Sequence, residues 1–200
     1  MFPETTQFLE LLRPEYNDAL KYCKALCARR SADEAEDVLQ ESLLKALENF
    51  GCLNDKAKFR SWFFKIITRE FFNSVRKDFW KRFIPLDNAS CVQDMPEIFD
   101  RIENDDNKKI LNKALSKISS KERSAILLFE IGEFSMEEIR EIQNERSISA
   151  IKSRLSRARE KLRKIINNEE ENFSNKNKSS INIGDINNET IRLIAGTERK

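Results

Sequence analysis

The stretch 135–166 constrains the fold more than any other, because its pattern is that of two helices joined by a short polar turn. Ser135 and Glu138 have the spacing of a capping box, so the first helix is predicted to begin directly after Ser135. Residues 144–147 contain no apolar side chain and are predicted to form the turn. The second helix is predicted at 148–166. This arrangement favours a helix-turn-helix.

The second helix of this pair has an apolar face and, opposite it, a small hydrogen-bonding face. Apolar side chains recur three or four residues apart and form one stripe: Ile148, Ile151, Leu155, Ala158, Leu162 and Ile165. At roughly 100° per residue, four polar side chains lie opposite: Ser149, Ser153, Ser156 and Arg157. Cations occupy the two flanks, Lys152 and Arg159 on one and Arg154 and Lys161 on the other. A helix that enters the major groove needs this layout, with cations for the phosphate backbones and slim polar groups for base edges.

The alternative interpretation of this stretch is a surface helix with solvated charges, as most basic runs are. Between residues 152 and 164, however, seven cations stand against a single acid, Glu160. The preceding helix also supplies the packing partner that a recognition helix requires. Together these features favour binding to duplex DNA.

The composition favours an all-α fold. Charged residues make up 35% of the 200 residues, and there are only four glycines and four prolines, a balance typical of long, exposed helices. No run of alternating apolar residues is bounded by turns, so few or no strands are expected. We predict two small helical domains joined by an acidic linker, the second of them being the helix-turn-helix domain.

Other classes of function are disfavoured by the residue types present. The chain has no histidine, the commonest general base and metal ligand, and no glycine loop that could cradle a phosphate. We therefore expect no catalytic site, no enzyme activity, no metal and no cofactor. The irregularly spaced cysteines are interpreted as thiols rather than as a zinc site: Cys23, Cys27, Cys52 and Cys91. The N-terminus does not have the pattern of a signal peptide, and no window is apolar for long enough to cross a membrane.

Residues 1–80 are predicted to form a first domain of three helices. The first helix is expected over Glu4–Ala28, with a kink or a break near Leu12, because Pro14 conflicts with an unbroken helix. A capping box at Ser31 opens the second helix, which is expected to end near Phe50. This helix carries an acidic, polar face that is either solvated or contacts a partner: Asp37, Gln40 and Glu41.

The third helix, predicted over Lys56–Asp78, combines a basic stripe with aromatic side chains. Four cations project within one narrow sector: Lys58, Lys65, Arg69 and Arg76. Trp62 and Phe72 border this sector. Cations follow a phosphate backbone and flat rings stack on unpaired bases, so such an edge suits single-stranded DNA. The alternative is that the rings are core and the cations solvated, and for three side chains we favour it: Phe59, Phe63 and Ile66.

The remaining segments differ in composition. Residues 81–105 contain two prolines and six acidic residues, and are predicted to be a flexible acidic linker. Helices resume over 106–167, where Ser119 and Glu122 form a further capping box. The tail 168–200 is rich in Asn, Ser, Glu and Lys, and is expected to be largely disordered.

These motifs, taken together, resemble those of a known family, the extracytoplasmic-function (ECF) sigma factors of bacterial RNA polymerase. Residues 35–47, AEDVLQESLLKAL, are similar to the family's region 2.2, and residues 59–77 to its regions 2.3 and 2.4. Residues 115–142 and 149–162 are similar to region 4. The order and spacing of these motifs are more specific than any one of them, and the resemblance covers about 8–164 apart from the linker.

The resemblance implies a role for each surface. Region 2.2 would dock on the clamp helices of the largest polymerase subunit through Asp37, Gln40 and Glu41. The third helix would open and read the promoter −10 element with six side chains: Lys58, Trp62, Lys65, Arg69, Asn73 and Arg76. The recognition helix would meet the −35 element with five: Ser149, Lys152, Ser153, Arg154 and Arg157. The polymerase, not this chain, would perform the chemistry.

The resemblance also implies partners and a place of action. We expect core RNA polymerase, promoter DNA and an anti-sigma factor as partners, in the bacterial cytoplasm and without membrane insertion. The chain departs from the family at Arg69 and Asn73, where Asn and Asp are usual, and in the turn 144–147, which is one residue longer. The tail 168–200 is extra, and we expect it to contact a regulator or the polymerase.

Two other functions are compatible with parts of the sequence. A free-standing helix-turn-helix regulator would use 135–166 but would leave the aromatic, basic helix and the acidic face without a role. A helical adaptor that binds only protein, such as a sigma antagonist, would have no affinity for DNA.

Overall fold

The computed structural model of the chain describes residues 3–81 and 106–176, and it confirms the predicted all-α class. Within these ranges there is no strand, and the α-helices are α1 Pro3–Leu26, α2 Ala32–Glu48, α3 Phe59–Lys81, α4 Asp106–Lys117, α5 Ser120–Glu130, α6 Met136–Ile142 and α7 Ile148–Lys176. Short 3-10 helices at Phe50–Cys52 and Lys56–Lys58 connect α2 to α3. The predicted linker beyond Lys81, and the predicted tail beyond Lys176, lie outside the described residues.

The first three helices pack against one another around a core rich in phenylalanine. The ring of Phe8 meets Phe50 and Phe59 edge to face, with centroid distances of 5.4 and 5.7 Å, a geometry that aromatic pairs prefer. Phe63 is fully buried, as predicted, whereas Ile66 is only half-buried. This core fixes the rotation of α3 about its axis and therefore decides which of its side chains face outward.

Of the kink or break predicted near Leu12, the break is wrong, because α1 is helical from Pro3 to Leu26 with Pro14 inside it. Proline removes one backbone hydrogen bond, but Pro14 is exposed, so water can reach the carbonyl left without a partner. Buried side chains on both sides of the proline, Leu12 and Ala19, hold the two halves of the helix against the same core.

Only half of the capping box predicted at the start of α2 forms. The Ser31 side chain accepts from the backbone N–H of Glu34 at 3.2 Å, as expected. The Glu34 carboxylate does not return to Ser31; it lies 3.5 Å from Nε of Arg30 instead. The helix ends at Glu48, two residues before Phe50, which begins the 3-10 helix.

The C-terminal helices begin with well-formed caps. Both capping boxes predicted there are present, Ser119 with Glu122 at α5 and Ser135 with Glu138 at α6. The turn between α6 and α7 includes Asn144 at φ 52°, a left-handed conformation that asparagine tolerates. These local features set the angle at which α7 leaves the turn.

The recognition helix is longer than predicted. α7 continues to Lys176, ten residues beyond the expected end at Ile166. The sequence 167–176 contains no glycine or proline, so nothing in it stops a helix already under way. The boundary drawn at 167 from composition therefore falls inside a helix.

The two groups of helices, α1–α3 and α4–α7, share a boundary. α1 lies against α5, and α3 lies against α6. Gly132, between α5 and α6, is required there because a Cβ would lie 2.4 Å from the ring of Phe134 and 2.7 Å from the Leu128 carbonyl oxygen. Phe134 is thereby free to pack across the boundary.

Candidate nucleic-acid interface

The outward face of α7 is exposed along the length that the sequence predicted. Ser149, Lys152, Ser153, Ser156 and Arg157 are all exposed. The apolar stripe behind them is buried against α4, α5 and α6, with Ile151 and Leu155 at 0% and 1% exposure. Ser147 caps the helix by accepting from the backbone N–H of Ala150 at 3.2 Å. The helix thus presents short polar side chains, and the cations Lys152 and Arg157, to solvent.

Arg154 differs from the other candidate base contacts, because its side chain is only 11% exposed and is held by the turn. Its Nη2 donates to Glu145 Oε1 at 2.5 Å, and its Nη1 donates to Gln143 Oε1. Glu145 also lies 3.5 Å from Lys121 Nζ. The hydrogen bond from Arg154 is the largest cause that lowers the pKa of Glu145. This guanidinium connects the recognition helix to the turn before it.

Two of the flanking cations are also engaged with acidic side chains of α5. Lys161 Nζ lies 2.8 Å from Glu122 Oε1, and Arg159 Nη2 donates to Glu130 Oε1 at 3.2 Å. Arg159 also lies over the ring of Phe129, 4.9 Å from its centroid. These contacts orient α7 on α5.

The basic stripe predicted on α3 is present and faces solvent. All four of its cations are exposed: Lys58, Lys65, Arg69 and Arg76. Trp62 is half-buried at the edge of the stripe, and its ring packs 5.9 Å from that of Phe59, which fixes its orientation. Asn73 accepts from Arg76 Nη2 at 2.6 Å and donates to Glu70 at 3.2 Å. The stripe therefore combines exposed cations with aromatic and amide side chains already held in place.

The structure adds one aromatic side chain that the sequence interpretation left out. Because α3 runs to Lys81, Trp80 falls one turn beyond Arg76, on the side of the helix where Trp62 lies. Trp80 is 61% exposed. The signal was available in the periodicity, but the helix was predicted to end at Asp78.

The acidic face of α2 is exposed and contains apolar side chains. Asp37, Gln40 and Glu41 are exposed, and so are Leu44 and Leu47, at 59% and 41%. Both leucines therefore lie on the solvent-facing side of α2. A leucine pair within a polar surface is typical of a protein-binding site rather than of a solvated helix.

Other kinds of site are not apparent among the residues that the structure describes. There, no three potential metal ligands cluster, and none of the helices has the length and apolarity needed to cross a membrane. Cys23 in α1 and Cys27 directly after it are buried, and burial raises the pKa of both thiols.

An exposed helix-turn-helix and a second basic, aromatic helix in one chain define a DNA-binding protein with two separate contact surfaces. The family descriptions "Sigma-70 region 2" and "Sigma-70, region 4" match residues 11–81 and 108–162. These ranges hold the two surfaces, one each.

Curated relatives and a solved structure agree with these matches. The ECF RNA polymerase sigma factor SigW of Bacillus subtilis is 30% identical over 152 residues, which cover 70% of this chain and 80% of SigW. The RNA polymerase sigma factor YlaC of Bacillus subtilis is 29% identical over 161 residues, covering 78% and 89% of the two chains. The sigma factor RpoE, solved in complex with the anti-sigma factor NepR from Bartonella quintana, has a TM-score of 0.60 at 28% identity, covering 83% of this chain and 98% of that one.

The chain belongs to the extracytoplasmic-function (ECF) family of RNA polymerase sigma factors. This confirms the resemblance inferred from the motifs. Sigma factors are transcription initiation factors, and family membership accounts for the presence of both exposed basic surfaces in one chain, which the free-standing regulator and the protein-binding adaptor do not.

Proposed function

We propose that each exposed surface performs the step that its region performs in a sigma factor. Residues 1–80 form the unit that binds core polymerase and the −10 element, 106–167 form the unit that binds the −35 element, and 81–105 join them. The tail 168–200 is extra to both units. The main support is the contrast on α7, where side chains opposite the buried stripe are exposed, whereas three of the four flanking cations are held by acidic side chains: Arg154, Arg159 and Lys161.

At the −35 element, Ser149, Ser153 and Arg157 meet base edges, and Lys152 meets a phosphate. Short hydroxyls allow close approach to the groove floor, and arginine can make two parallel hydrogen bonds to guanine. Arg154 has a different role, because its guanidinium is committed to Glu145 and Gln143. It positions the recognition helix against the long turn, and its contribution to binding is indirect.

At the −10 element, the stripe of α3 grips the separated strand. Lys58, Lys65, Arg69 and Arg76 follow the phosphates, Trp62 stacks on a base, and Asn73 supplies hydrogen-bonding groups. Arg76 holds Asn73 in one orientation, which supports a role for this pair in base readout.

The exposed face of α2 docks on core polymerase. Asp37, Gln40 and Glu41 supply the polar contacts, and Leu44 with Leu47 supplies an apolar centre, the arrangement found at protein interfaces. The polymerase performs the nucleotidyl transfer, so this chain has no catalytic residue, and it acts in the bacterial cytoplasm where the polymerase is. An anti-sigma factor is the expected regulator, supported by the complex of RpoE with NepR.

Reconstituted transcription tests this assignment. Core polymerase is mixed with the purified protein and genomic DNA, and the 5′ ends of the transcripts are sequenced. The expected result is a set of start sites that share one −35 and one −10 sequence and that are absent without the protein. If the protein binds core polymerase but the start sites share no sequence, the assignment of base-reading roles is wrong.

A further inference from the structure

Three polar side chains lie in one line along α3, three residues apart: Glu70, Asn73 and Arg76. Residues at this spacing are neighbours on the surface of a helix. The line runs from a buried end to an exposed end, because Glu70 is 8% exposed, Asn73 is half-buried and Arg76 is exposed. Asn73 and Arg76 are among the proposed −10 contacts, whereas Glu70 is too deeply buried to be one.

The buried carboxylate of Glu70 is held by a lysine from α2. Its Oε2 atom pairs with Nζ of Lys45, and the same Nζ lies 3.2 Å from Oε1 of Glu41. The hydrogen bond to Glu70 is the largest cause that raises the pKa of Lys45. The lysine thus balances the charge of the buried carboxylate, and an ionised carboxylate accepts hydrogen bonds but cannot donate one.

The two neighbours of Asn73 allow only one orientation of its amide. Nδ2 donates to Glu70 Oε1 at 3.2 Å, and Oδ1 accepts from Arg76 Nη2 at 2.6 Å. A carboxylate only accepts and a guanidinium only donates, so turning the amide over would break both hydrogen bonds. One N–H and one oxygen lone pair of the amide remain for a base, in a fixed order.

Of the two neighbours, Glu70 is the one that DNA cannot displace. Arg76 is exposed and is proposed to follow the phosphates, so a phosphate competes with Asn73 for its guanidinium. Glu70 is shielded from solvent, and its other oxygen is held by Lys45. A buried ion pair adds little net stability, because desolvation offsets the attraction. Orientation of Asn73 therefore accounts better than stability for a carboxylate at this position.

The same contact accounts for the asparagine at position 73. The resemblance to the family led us to expect an aspartate there, and an aspartate would set a second carboxylate against Glu70. Two carboxylates in contact repel each other, whereas an amide can donate to a carboxylate, as Asn73 does. Glu70 and Asn73 are therefore complementary to each other.

A fixed order of donor and acceptor separates two classes of base. Adenine and cytosine present an amino donor, and guanine and thymine present a keto acceptor in the corresponding place. An amide held in one orientation can pair with one of these classes in a given pose. An amide that is free to turn over can pair with both.

We propose that Glu70, held by Lys45, is a positioning residue that makes Asn73 discriminate amino bases from keto bases at one position of the unpaired −10 strand. The inference rests on the proposed function, since it assumes that Asn73 reads a base. Glu70 itself does not touch DNA and acts only through the amide of Asn73.

The test uses core polymerase, the full chain and a promoter library randomised across the −10 element. Sequencing of barcoded transcripts gives, for each position, the ratio of initiation with amino bases to initiation with keto bases. Asn73→Ala identifies the position that Asn73 reads. Glu70→Gln keeps the shape of the side chain but lets it donate as well as accept. Glu15→Gln is the matched control, because Glu15 is a carboxylate of α1 that pairs with a cation of α3, Arg60.

At the position read by Asn73, Glu70→Gln should bring the amino-to-keto ratio closer to one by about threefold or more. Glu15→Gln should leave the ratio unchanged. In a chain that already carries Asn73→Ala, Glu70→Gln should have no further effect on it. An unchanged ratio in Glu70→Gln overturns the inference, and so does a shift of the same size in the absence of Asn73, because Glu70 would then act by another route.

Circular dichroism checks that Glu70→Gln keeps its helix content. If it does not, Lys45→Met decides, because the side chain of Lys45 is 38% exposed and its replacement should not disturb the core. A buried carboxylate without its cation turns toward water or takes up a proton, and either change releases Asn73. Lys45→Met should therefore also bring the ratio closer to one, and an unchanged ratio overturns the inference.

The proposed function can fail separately in the same experiment. If Asn73→Ala alters no base preference at any position of the −10 element, Asn73 does not read a base, and the inference falls with that role. If Asn73→Ala alters a preference that Glu70→Gln leaves intact, the role of Asn73 stands and only the role of Glu70 is refuted.

Discussion

The Nη2 atom of Arg154 lies 2.5 Å from Oε1 of Glu145, and this contact fixes the recognition helix to the turn that precedes it. The turn is one residue longer than the resemblance to the family led us to expect, and Asn144 within it has a positive φ. A long turn can present the following helix at several angles. The pair of Arg154 and Glu145 selects one of them, so a residue predicted to contact DNA instead acts on the structure of its own domain.

Removing this contact is expected to weaken binding at all −35 sequences alike. Arg154→Ala and Glu145→Ala should each destabilise the chain, and the double variant should show a coupling energy of about 1–3 kcal/mol. Urea unfolding of wild type, the two single variants and the double variant measures this coupling energy. If Arg154→Ala instead alters base preference and shows no coupling to Glu145, the guanidinium contacts DNA directly.

Trp80→Ala is expected to weaken promoter opening while leaving the fold intact. An aromatic side chain that stacks on an unpaired base contributes about 1–3 kcal/mol, and Trp80 is 61% exposed, so its loss should not disturb the core. Permanganate reactivity of unpaired thymines reports opening. Leu9→Ala, which shortens another exposed apolar side chain, is the control. If the two variants changed promoter opening equally, Trp80 would have no specific role in binding the unpaired strand.

Leu47→Asp is expected to reduce affinity for core polymerase by about tenfold or more, because it places a charge at the apolar centre of the docking face. Leu47 is 41% exposed, so the variant should fold. Leu9→Asp makes the same change on α1, away from this face. Pull-down of core polymerase at a series of protein concentrations measures the affinity of each variant. If Leu47→Asp bound as tightly as wild type, core polymerase would dock on a surface other than this face of α2.

The stability of the C-terminal helices, α4–α7, should fall in acid because of Glu122. Burial raises the pKa of this carboxyl, but hydrogen bonds from Lys161 and Ser119 outweigh burial and lower it below its ordinary value of 4.5. A carboxyl with a lowered pKa in the folded state stabilises the fold above its ordinary pKa, and this stabilisation is lost as the pH falls through the folded value. The thermal stabilities of wild type and Glu122→Gln should therefore differ above pH 4.5 and converge as the pH falls below it. Glu137→Gln, an exposed carboxylate of α6, controls for loss of charge.

Local features of the fold were predictable, whereas contacts across the chain were not. The caps at Ser119 and Ser135 depend on side chains three residues apart, so the sequence alone shows them. The outward face of α7 was also predictable, because the spacing of apolar residues along one helix shows which side chains lie opposite them. Arg123 is different, because its burial depends on the carbonyl of Leu26, 97 residues away, which no periodicity connects to it.

Two predictions made from composition were wrong, one about where α7 ends and one about whether α1 continues past Pro14. A polar, asparagine-rich run was interpreted as disorder, yet α7 continues through it to Lys176, because propagation of a helix needs only the absence of a breaker. Conversely, Pro14 is a breaker that α1 accommodates, because its position faces solvent. In the first case the absence of a helix breaker decided the result, and in the second the solvent exposure of Pro14 did.

The central claim is that the outward face of α7 reads the −35 element, and a promoter library with a randomised −35 sequence tests it most directly. Arg157→Ala should weaken binding by about 1–3 kcal/mol at promoters that carry the base contacted by Arg157, and initiation there should fall accordingly. The variant should also relax the preference for that base. Lys164→Ala removes a cation from the same face about 10 Å further along the axis, and should change all promoters slightly and equally. A base preference unaltered by Arg157→Ala, with every promoter weakened alike, would contradict the account.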